Sequence, residues 1–461
     1  MESLILYTDY LAGIARSYPF IILLLGTGIY LTVRLRGIQF RESRYAFKIM
    51  LGKKDAEEGG RGEVSNFEAV ATVLSGTIGT GNIAGVATAI TLGGPGALFW
   101  MWVTALLGMA IKFACCLLGH HFRRVDETGE IAGGPMYTLK YGLNMPILGG
   151  AFAVFTLLAA FTTGAMVQTH SVVDGLIYVM PQASDYKLLF GVVIAIFVGV
   201  VILGGVKRIA RIASIVVPFM AIAYCGAGLL ILSTHVTEIP KAFGIIFHYA
   251  LSPSAAGGAA LGLAIQYGVL RALFASEAGL GTAPIGLAAA KTNYSVHAGL
   301  LGMIGPWIDT MIICTMTGLV IIITGAWNVA GTEGLIGAGL SAYAFENGLT
   351  KLFGELAGTV GAWTVGLGLV FFAYTTIIAW AYYGDRAIQF LMGAKAVLPF
   401  RLVFILFTVF GALSPLHLAW NFADIANVCM AIPNLISIIL LASLVKKSQE
   451  NYFENKHLQL R

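Results

Sequence analysis

The sequence predicts an all-α polytopic membrane protein with about eleven transmembrane helices. Of its 461 residues, 58% are hydrophobic and only 11% are charged, whereas an ordinary soluble domain carries about 25% charged residues. The mean hydropathy is +0.83, and apolar runs long enough to cross a bilayer recur along the chain. So few charges exclude soluble enzymes and nucleic-acid-binding proteins, and the length of the runs excludes a β-barrel.

Eleven apolar segments meet the requirement of roughly 20 residues for a spanning helix. In chain order they are 19–35, 66–90, 94–121, 147–176, 188–206, 212–233, 257–290, 297–325, 357–384, 400–419 and 425–446. Several are longer than the minimum and contain Gly or Pro, which indicates tilt or local breaks. The five cysteines lie inside apolar stretches without disulfide or zinc spacing, so we expect them to be reduced packing residues.

The distribution of Lys and Arg predicts the orientation in the cell membrane. With the N-terminus outside, 22 of the 28 basic residues fall in cytoplasmic segments and four fall outside. The remaining two, Lys112 and Arg271, lie within spans. By the positive-inside rule the N-terminus is extracellular and the C-terminus cytoplasmic. The net charge of +5 therefore reports orientation and not an acidic partner.

The second segment carries a glycine-rich interruption from Ser75 to Gly85. Each Gly costs up to about 1 kcal/mol relative to Ala in a helix, and backbone groups freed in a bilayer must find partners. A break fits a binding site, because half-helix N–H groups suit a carboxylate and freed carbonyl groups suit Na⁺. Asn82 adds a neutral oxygen. Close helix packing through small residues is the alternative, and it explains the cluster Thr77–Asn82 poorly.

The seventh segment is interrupted in the same way, between Tyr267 and Pro284, by glycines, a proline and charges. Two interrupted helices at corresponding positions of two halves indicate a transporter site near the membrane midplane. Each half has five helices, so the two halves must be inverted relative to each other. The resulting division is an extra N-terminal helix (1–36), a cytoplasmic amphipathic connector (37–65), a first repeat (66–233), an extracellular connector (234–256), a second repeat (257–446) and a cytoplasmic tail (447–461).

Two cytoplasmic segments leave their local structure open. In the connector, a membrane-surface helix at about 41–51 and a solvated charged loop fit the sequence equally well. The polar C-terminal tail is expected to fray.

Polar residues inside the spans are few, and such residues are functional candidates by default. They are Lys112, Gln168, His170, Asp174, Arg271, Glu277 and Asp309. For Arg271 with Glu277, and for Asp309, we expect a gate or a structural pair. Lys112 and Asp174 are expected to snorkel towards helix ends. The Gln168 amide can face an amino acid, and His170 either carries protons or is hydrogen-bonded structure.

The ninth segment adds Thr375, Thr376 and Trp380. Adjacent Thr hydroxyls on a helix often bond to carbonyl groups of their own helix, but a pair facing a broken helix could instead complete a cation shell. Trp380 lies about one turn further on, where it either closes a small pocket or packs in the core.

Several ordered motifs give the chain its resemblance to a known family. They are Thr77-Ile-Gly-Thr-Gly-Asn82, Gly93-Gly-Pro-Gly-Ala-Leu-Phe-Trp-Met-Trp-Val-Thr-Ala105, Ala132-Gly-Gly-Pro-Met-Tyr137, Glu277-Ala-Gly-Leu-Gly281 and Met430-Ala-Ile-Pro-Asn434. Together they resemble the alanine or glycine:cation symporters of the amino acid–polyamine–cation superfamily, over nearly the whole chain. The sequence departs from the family pattern at His170, Ala272 and Ser276, where Asn, Gly and Asn are more usual.

The resemblance implies a fold, an activity and a site. The fold is the leucine-transporter-like five-plus-five inverted repeat, here preceded by one extra helix. The activity is Na⁺-coupled uptake of alanine or glycine. Residues implied to surround the amino acid are Thr77, Thr80, Gly81, Asn82, Gln168 and Trp380. A sodium site is implied at the carbonyls of Ser75 and Ile78 with the hydroxyls of Thr375 and Thr376.

The leading interpretation is therefore a secondary active symporter whose partners are a small neutral amino acid, Na⁺ and the lipid bilayer. The alternative is proton-coupled symport, through His170 or Glu277, of the same or a related amino acid such as glutamine. A channel is disfavoured because the sequence lacks a repeated pore loop or charged ring. A membrane-embedded enzyme would need a metal cluster or a nucleophile–base set. The sequence has no P-loop fingerprint, so we do not expect an ATP-driven pump. We also expect no enzymatic activity, no cofactor and no nucleic-acid partner.

Overall fold

The computed structural model describes residues 2–51, 62–126, 129–251, 259–329 and 334–459. The N-terminal half of this part contains the helices α1 (Glu2–Ala15), α2 (Tyr18–Arg34), α3 (Ile38–Arg41), α4 (Ser43–Met50), α5 (Asn66–Thr77), α6 (Ala84–Gly93), α7 (Ala97–His121), α8 (Pro135–Tyr137), α9 (Pro146–Ala159), α10 (Val167–Val179), α11 (Lys187–Ile202) and α12 (Gly205–Thr234). Two short antiparallel strands, β1 (Arg124–Val125) and β2 (Ile131–Ala132), lie between α7 and α8.

The C-terminal half is also helical. It contains α13 (Ile239–Leu251), α14 (Ala259–Ser276), α15 (Ala283–Leu287), α16 (Ser295–Pro306), α17 (Thr315–Ile323), α18 (Ala326–Val329), α19 (Ala338–Phe353), α20 (Glu355–Met392), α21 (Val397–Leu413), α22 (Leu416–Leu440) and α23 (Ala442–Gln459). Wider π-type turns join α9 to α10 (Ala160–Met166) and α16 to α17 (Trp307–Cys314), so each pair runs as one continuous helix.

Nine helices in the described residues are long and apolar enough to cross a membrane. Each overlaps one of the nine predicted segments other than the second and the seventh. The other two predicted segments contain the shorter apolar helices Ala84–Gly93 and Leu261–Ser276. These two segments are the ones in which the sequence predicts breaks, and both breaks are present.

The first break separates α5 from α6. The helix α5 begins with a capping box in which Ser65 and Glu68 satisfy each other's backbone N–H groups, and it ends at Thr77. The Gly79 N–H then donates to the side-chain oxygen of Asn82 at 2.9 Å, and not to a helical carbonyl. A single 3₁₀ turn leads to α6, so the polar residues of the motif create the interruption.

The second break separates α14 from α15. Glu277 has a φ of +51°, and Gly279 and Gly281 have φ values of +114° and +90°. Glycine adopts this left-handed region without strain, and a Cβ on Gly281 would lie only 2.6 Å from Pro135 Cγ. The Asn434 amide donates to the freed Gly279 carbonyl at 2.8 Å, which satisfies the backbone as a bilayer requires.

The two broken helices contact each other. A Cβ on Gly81 would meet Ala275 Cα at 2.9 Å, so the 3₁₀ turn of the first break lies directly on α14. The long helix α20 packs against α5, and α10 packs against α20. These contacts place residues from α5, α10 and α20 around the first break.

Segments predicted to be cytoplasmic meet at one end of the molecule. The Tyr452 hydroxyl of α23 lies 2.7 Å from the Tyr45 hydroxyl of α4 and 2.6 Å from Nε2 of His297 in α16.

The expectation that the tail frays is wrong for its described part, because α23 continues to Gln459. Of the two possibilities for the connector, the helix is present as α4. Residues 52–61 of this connector, and residues 252–258 at the junction of the extracellular connector and the second repeat, lie outside the described residues.

Candidate substrate and ion site

Oxygen atoms from α5 and α20 converge at the first break. The Thr376 hydroxyl lies 2.9 Å from the Ser75 carbonyl oxygen and 3.5 Å from the Ile78 carbonyl oxygen. It also lies 2.9 Å from the Phe372 carbonyl of its own helix. The Ser75 carbonyl is available because the Gly79 N–H has turned to Asn82. The structure therefore brings together three of the four residues implied for the sodium site.

Thr375 is oriented differently. Its hydroxyl donates to the Phe372 carbonyl at 3.0 Å, as Thr on a helix commonly does. Within the described residues no hydrogen bond joins Thr375 to Ser75 or Ile78. Both Thr side chains are buried, and the structure distinguishes them by which carbonyl groups they face.

The amide of Gln168 lies on the other side of the same break. Its oxygen accepts from the Thr80 N–H at 3.3 Å, and its nitrogen donates to the Thr163 carbonyl at 3.1 Å. A Cβ on Gly79 would lie 3.2 Å from this oxygen and 2.5 Å from the Thr376 hydroxyl. Because Gly79 has no side chain, Gln168 of α10 and Thr376 of α20 can both approach the break.

The other residues of the first motif are held by protein contacts. Asn82 bonds Gly79 through its oxygen, while its nitrogen donates to the carboxylate of Asp309. Thr77 donates to the Leu74 carbonyl of its own helix at 3.2 Å. The Thr80 hydroxyl is buried and has no hydrogen-bond partner in the described part of the chain.

Trp380 is buried one turn beyond Thr376. Its Cβ lies 2.4 Å from where a Cβ on Gly164 would be, and its ring packs edge-on against Tyr383. It also lies beside the Glu277 carboxylate of the second break. Trp380 therefore occupies the space between the turn that joins α9 to α10 and the second break.

Arg271 and Glu277 do not pair with each other, which corrects the predicted pair. Arg271 donates to both carboxylate oxygens of Asp424, at 2.7 and 2.6 Å, and stacks on Trp420 at 4.2 Å. Glu277 accepts from the Thr282 hydroxyl at 2.6 Å. One helical turn and a half separates Arg271 from Glu277, and the break turns the chain between them.

Asp424 lies between the predicted spans 400–419 and 425–446, so it is absent from the polar residues predicted inside the membrane. The helix α22 begins at Leu416, so Asp424 lies two turns inside it and only 3% of its side chain is exposed. The sequence signal for this contact was the spacing of Trp420 and Asp424, which are four residues apart and hence on one helical face.

Lys112 also differs from the prediction. Its side chain does not snorkel towards a helix end, because the residue is only 1% exposed.

Comparisons with known proteins agree with this architecture. The model of the sodium:alanine symporter family matches residues 1–461. The sodium/alanine symporter AgcS of Methanococcus maripaludis is 46% identical over 94% of each chain. The probable sodium/glutamine symporter GlnT of Bacillus subtilis is 33% identical over 97% of this chain and 91% of its own.

A solved structure shows the same fold at low sequence identity. The crystal structure of MhsT in complex with L-phenylalanine superposes with a TM-score of 0.60, at 13% identity, over 83% of this chain and 90% of that chain. With the nine long apolar helices of the described residues, the family match makes this protein a multi-pass membrane transporter. The chain belongs to the sodium:alanine symporter family.

Proposed function

We propose that the protein imports a small neutral amino acid, alanine or glycine, together with Na⁺, by alternating access. The observation that carries this proposal is the approach of the Thr376 hydroxyl to the Ser75 and Ile78 carbonyl oxygens. Unwound carbonyl groups at the end of a half-helix are the groups that coordinate Na⁺ in transporters of this type. Thr376 adds a neutral oxygen from a different helix, so ion binding would link α5 to α20.

The amino acid is proposed to bind beside this ion. A zwitterion in a low-dielectric pocket needs both of its charges matched, and the stretch Thr77–Asn82 contains no charged side chain. The carboxylate would meet backbone N–H groups at Thr80 and Gly81, near the start of α6, where the helix dipole favours an anion. Gln168 and Thr77 are proposed to contribute polar contacts, and Asn82 to hold the break through Gly79 and Asp309.

A small substrate fits the crowding around the break. The positions of Gly79 and Gly164 have no room for a methyl group, since a Cβ there would lie 2.5 Å from Thr376 and 2.4 Å from Trp380. We propose that Trp380 closes the pocket. The 46% identity to a sodium/alanine symporter, against 33% to a probable sodium/glutamine symporter, favours alanine over glutamine.

We also propose the finer architecture. The eleven spans would form two inverted five-helix repeats, 66–233 and 257–446, after the extra N-terminal helix. Breaks at corresponding positions of the two halves support this division. The count of basic residues supports an extracellular N-terminus and a cytoplasmic C-terminus in the cell membrane.

Uptake into proteoliposomes tests the proposal. Labelled alanine, glycine and glutamine are offered under an inward Na⁺ gradient and, separately, under an inward proton gradient. We expect accumulation of alanine or glycine with the Na⁺ gradient alone, and loss of accumulation when Na⁺ is equal on both sides. Accumulation that follows the proton gradient without Na⁺ would instead establish proton coupling, and preferred uptake of glutamine would refute the assignment of alanine and glycine.

A further inference from the structure

Lys112 is a buried ammonium in the middle of α7. The residue is 1% exposed, and its Nζ has no hydrogen-bond partner in the described residues. The ammonium lies against α16, since a Cβ on Gly305 would be 3.1 Å from Nζ. A charged side chain at this depth is expensive unless other charges compensate it.

Two buried carboxylates provide that compensation. Glu277 in the second break and Asp309 in the turn between α16 and α17 are 1% and 0% exposed. Lys112 follows Gly108 by one turn of α7, and a Cβ on Gly108 would lie 2.5 Å from the Cβ of Ala278, the neighbour of Glu277. The ammonium lies against Gly305, four residues before Asp309. Asp309 is tied to Asn82 and so to the first break, while Glu277 keeps one carboxylate oxygen without a hydrogen-bond partner in the described part. The three charges therefore connect both broken helices.

The formal charges of this triad do not cancel. When both acids are ionised, two carboxylates and one ammonium leave one negative charge in a low-dielectric core. A zwitterionic amino acid adds no net charge, whereas one Na⁺ would make the core neutral. Without the ammonium, the same core would need two monovalent cations.

We propose that Lys112 acts as a fixed cation that limits the transporter to one monovalent cation per amino acid. This inference rests on the proposed function, Na⁺-coupled symport, and adds to it the reason for the number of ions. Lys112 is thus a positioning residue for charge: it acts through Glu277 and Asp309 and contacts neither the ion nor the substrate. The predicted consequence is a change of stoichiometry, which a purely structural lysine would not produce.

The test measures the net charge carried per alanine. Proteoliposomes with a fixed alanine gradient and a voltage set by K⁺ and valinomycin give the voltage at which net flux is zero. We expect one charge per alanine for the wild type and for Lys112→Arg, which keeps the cation. We expect two for Lys112→Met, and one again for Lys112→Met combined with Glu277→Gln, because the double variant restores the balance.

A second variant keeps the inference testable if Lys112→Met does not fold. Glu277→Gln preserves shape and leaves a core that is already neutral, so the Na⁺ concentration for half-maximal uptake should rise at least tenfold. One charge per alanine in folded Lys112→Met, or wild-type Na⁺ dependence in Glu277→Gln, would overturn the inference. If the wild type itself shows no Na⁺-dependent alanine uptake, the proposed function fails first, which separates the two failures.

Discussion

Arg271 of α14 donates two hydrogen bonds to Asp424 of α22, although 153 residues separate them along the chain. Both side chains are 3% exposed, and Arg16, which lies between α1 and α2, contacts the same carboxylate at 2.9 Å. The pair joins the second broken helix to α22. It therefore restrains the half of the broken helix that precedes Glu277.

Replacing Asp424 by Asn should destabilise the protein strongly, because it leaves the buried Arg271 charge uncompensated. Breaking a buried ion pair from one side costs about 3–5 kcal/mol. Arg16 is 18% exposed, so Arg16→Gln should cost less. Thermal unfolding of the purified variants in detergent checks the order, and equal melting temperatures for Asp424→Asn and the wild type would contradict it.

Gly164→Ala should be destabilising, because its Cβ would lie 2.4 Å from Trp380 Cβ. Overpacking of this kind costs about 1–3 kcal/mol. Gly226→Ala in α12 is the matched control, since a Cβ there has no neighbour within 4 Å; it should be neutral or stabilising. A Gly164→Ala protein with wild-type melting temperature and alanine uptake would show that Trp380 is free to move.

Asn82→Ala should weaken alanine binding at least tenfold, or about 1.4 kcal/mol. The change removes the acceptor of the Gly79 N–H and the donor to Asp309, so the break loses its fixed shape. Thr88→Ala in α6 is the control, because the Thr88 hydroxyl bonds only to the Ala84 carbonyl of its own helix among the described contacts. Calorimetry on monodisperse protein measures both, and unchanged affinity in Asn82→Ala would place the amino acid elsewhere.

Cysteine labelling tests the orientation in the membrane. With the native cysteines replaced, a single Cys at Ser43 or Ser448 should react with a membrane-impermeant reagent only after the cell is permeabilised. A Cys at exposed Ser233, at the end of α12, should react in intact cells. Reaction of Ser43 or Ser448 positions from outside would reverse the assignment that the count of basic residues supports.

Local composition was sufficient to predict the two breaks but not the contacts made across the fold. Gly, Pro and polar residues inside an apolar run are read directly from the sequence, and the structure interrupts both helices there. The partner of Arg271 depends on how α14 and α22 pack, and a span boundary placed at 425 hid Asp424. The C-terminal tail is polar, yet contacts of Tyr452 with Tyr45 and His297 hold it as a helix.

The two adjacent Thr residues show the same limit at the site. Successive positions on a helix point about 100° apart, since a turn contains 3.6 residues, and composition does not reveal which one faces α5. The structure directs the Thr376 hydroxyl towards Ser75 and Ile78 and the Thr375 hydroxyl towards Phe372. The sequence implies both Thr residues as sodium ligands, whereas the structure leads us to expect that Thr376 matters more than Thr375.

The most direct test of the proposed ion site is the Na⁺ dependence of alanine uptake by the Thr376→Val and Thr375→Val variants in proteoliposomes. Valine keeps the shape of threonine and removes its hydroxyl oxygen. We expect Thr376→Val to raise the Na⁺ concentration for half-maximal uptake at least tenfold, and Thr375→Val to change it by less than threefold. Wild-type Na⁺ dependence in a folded Thr376→Val protein would contradict the proposed ion site.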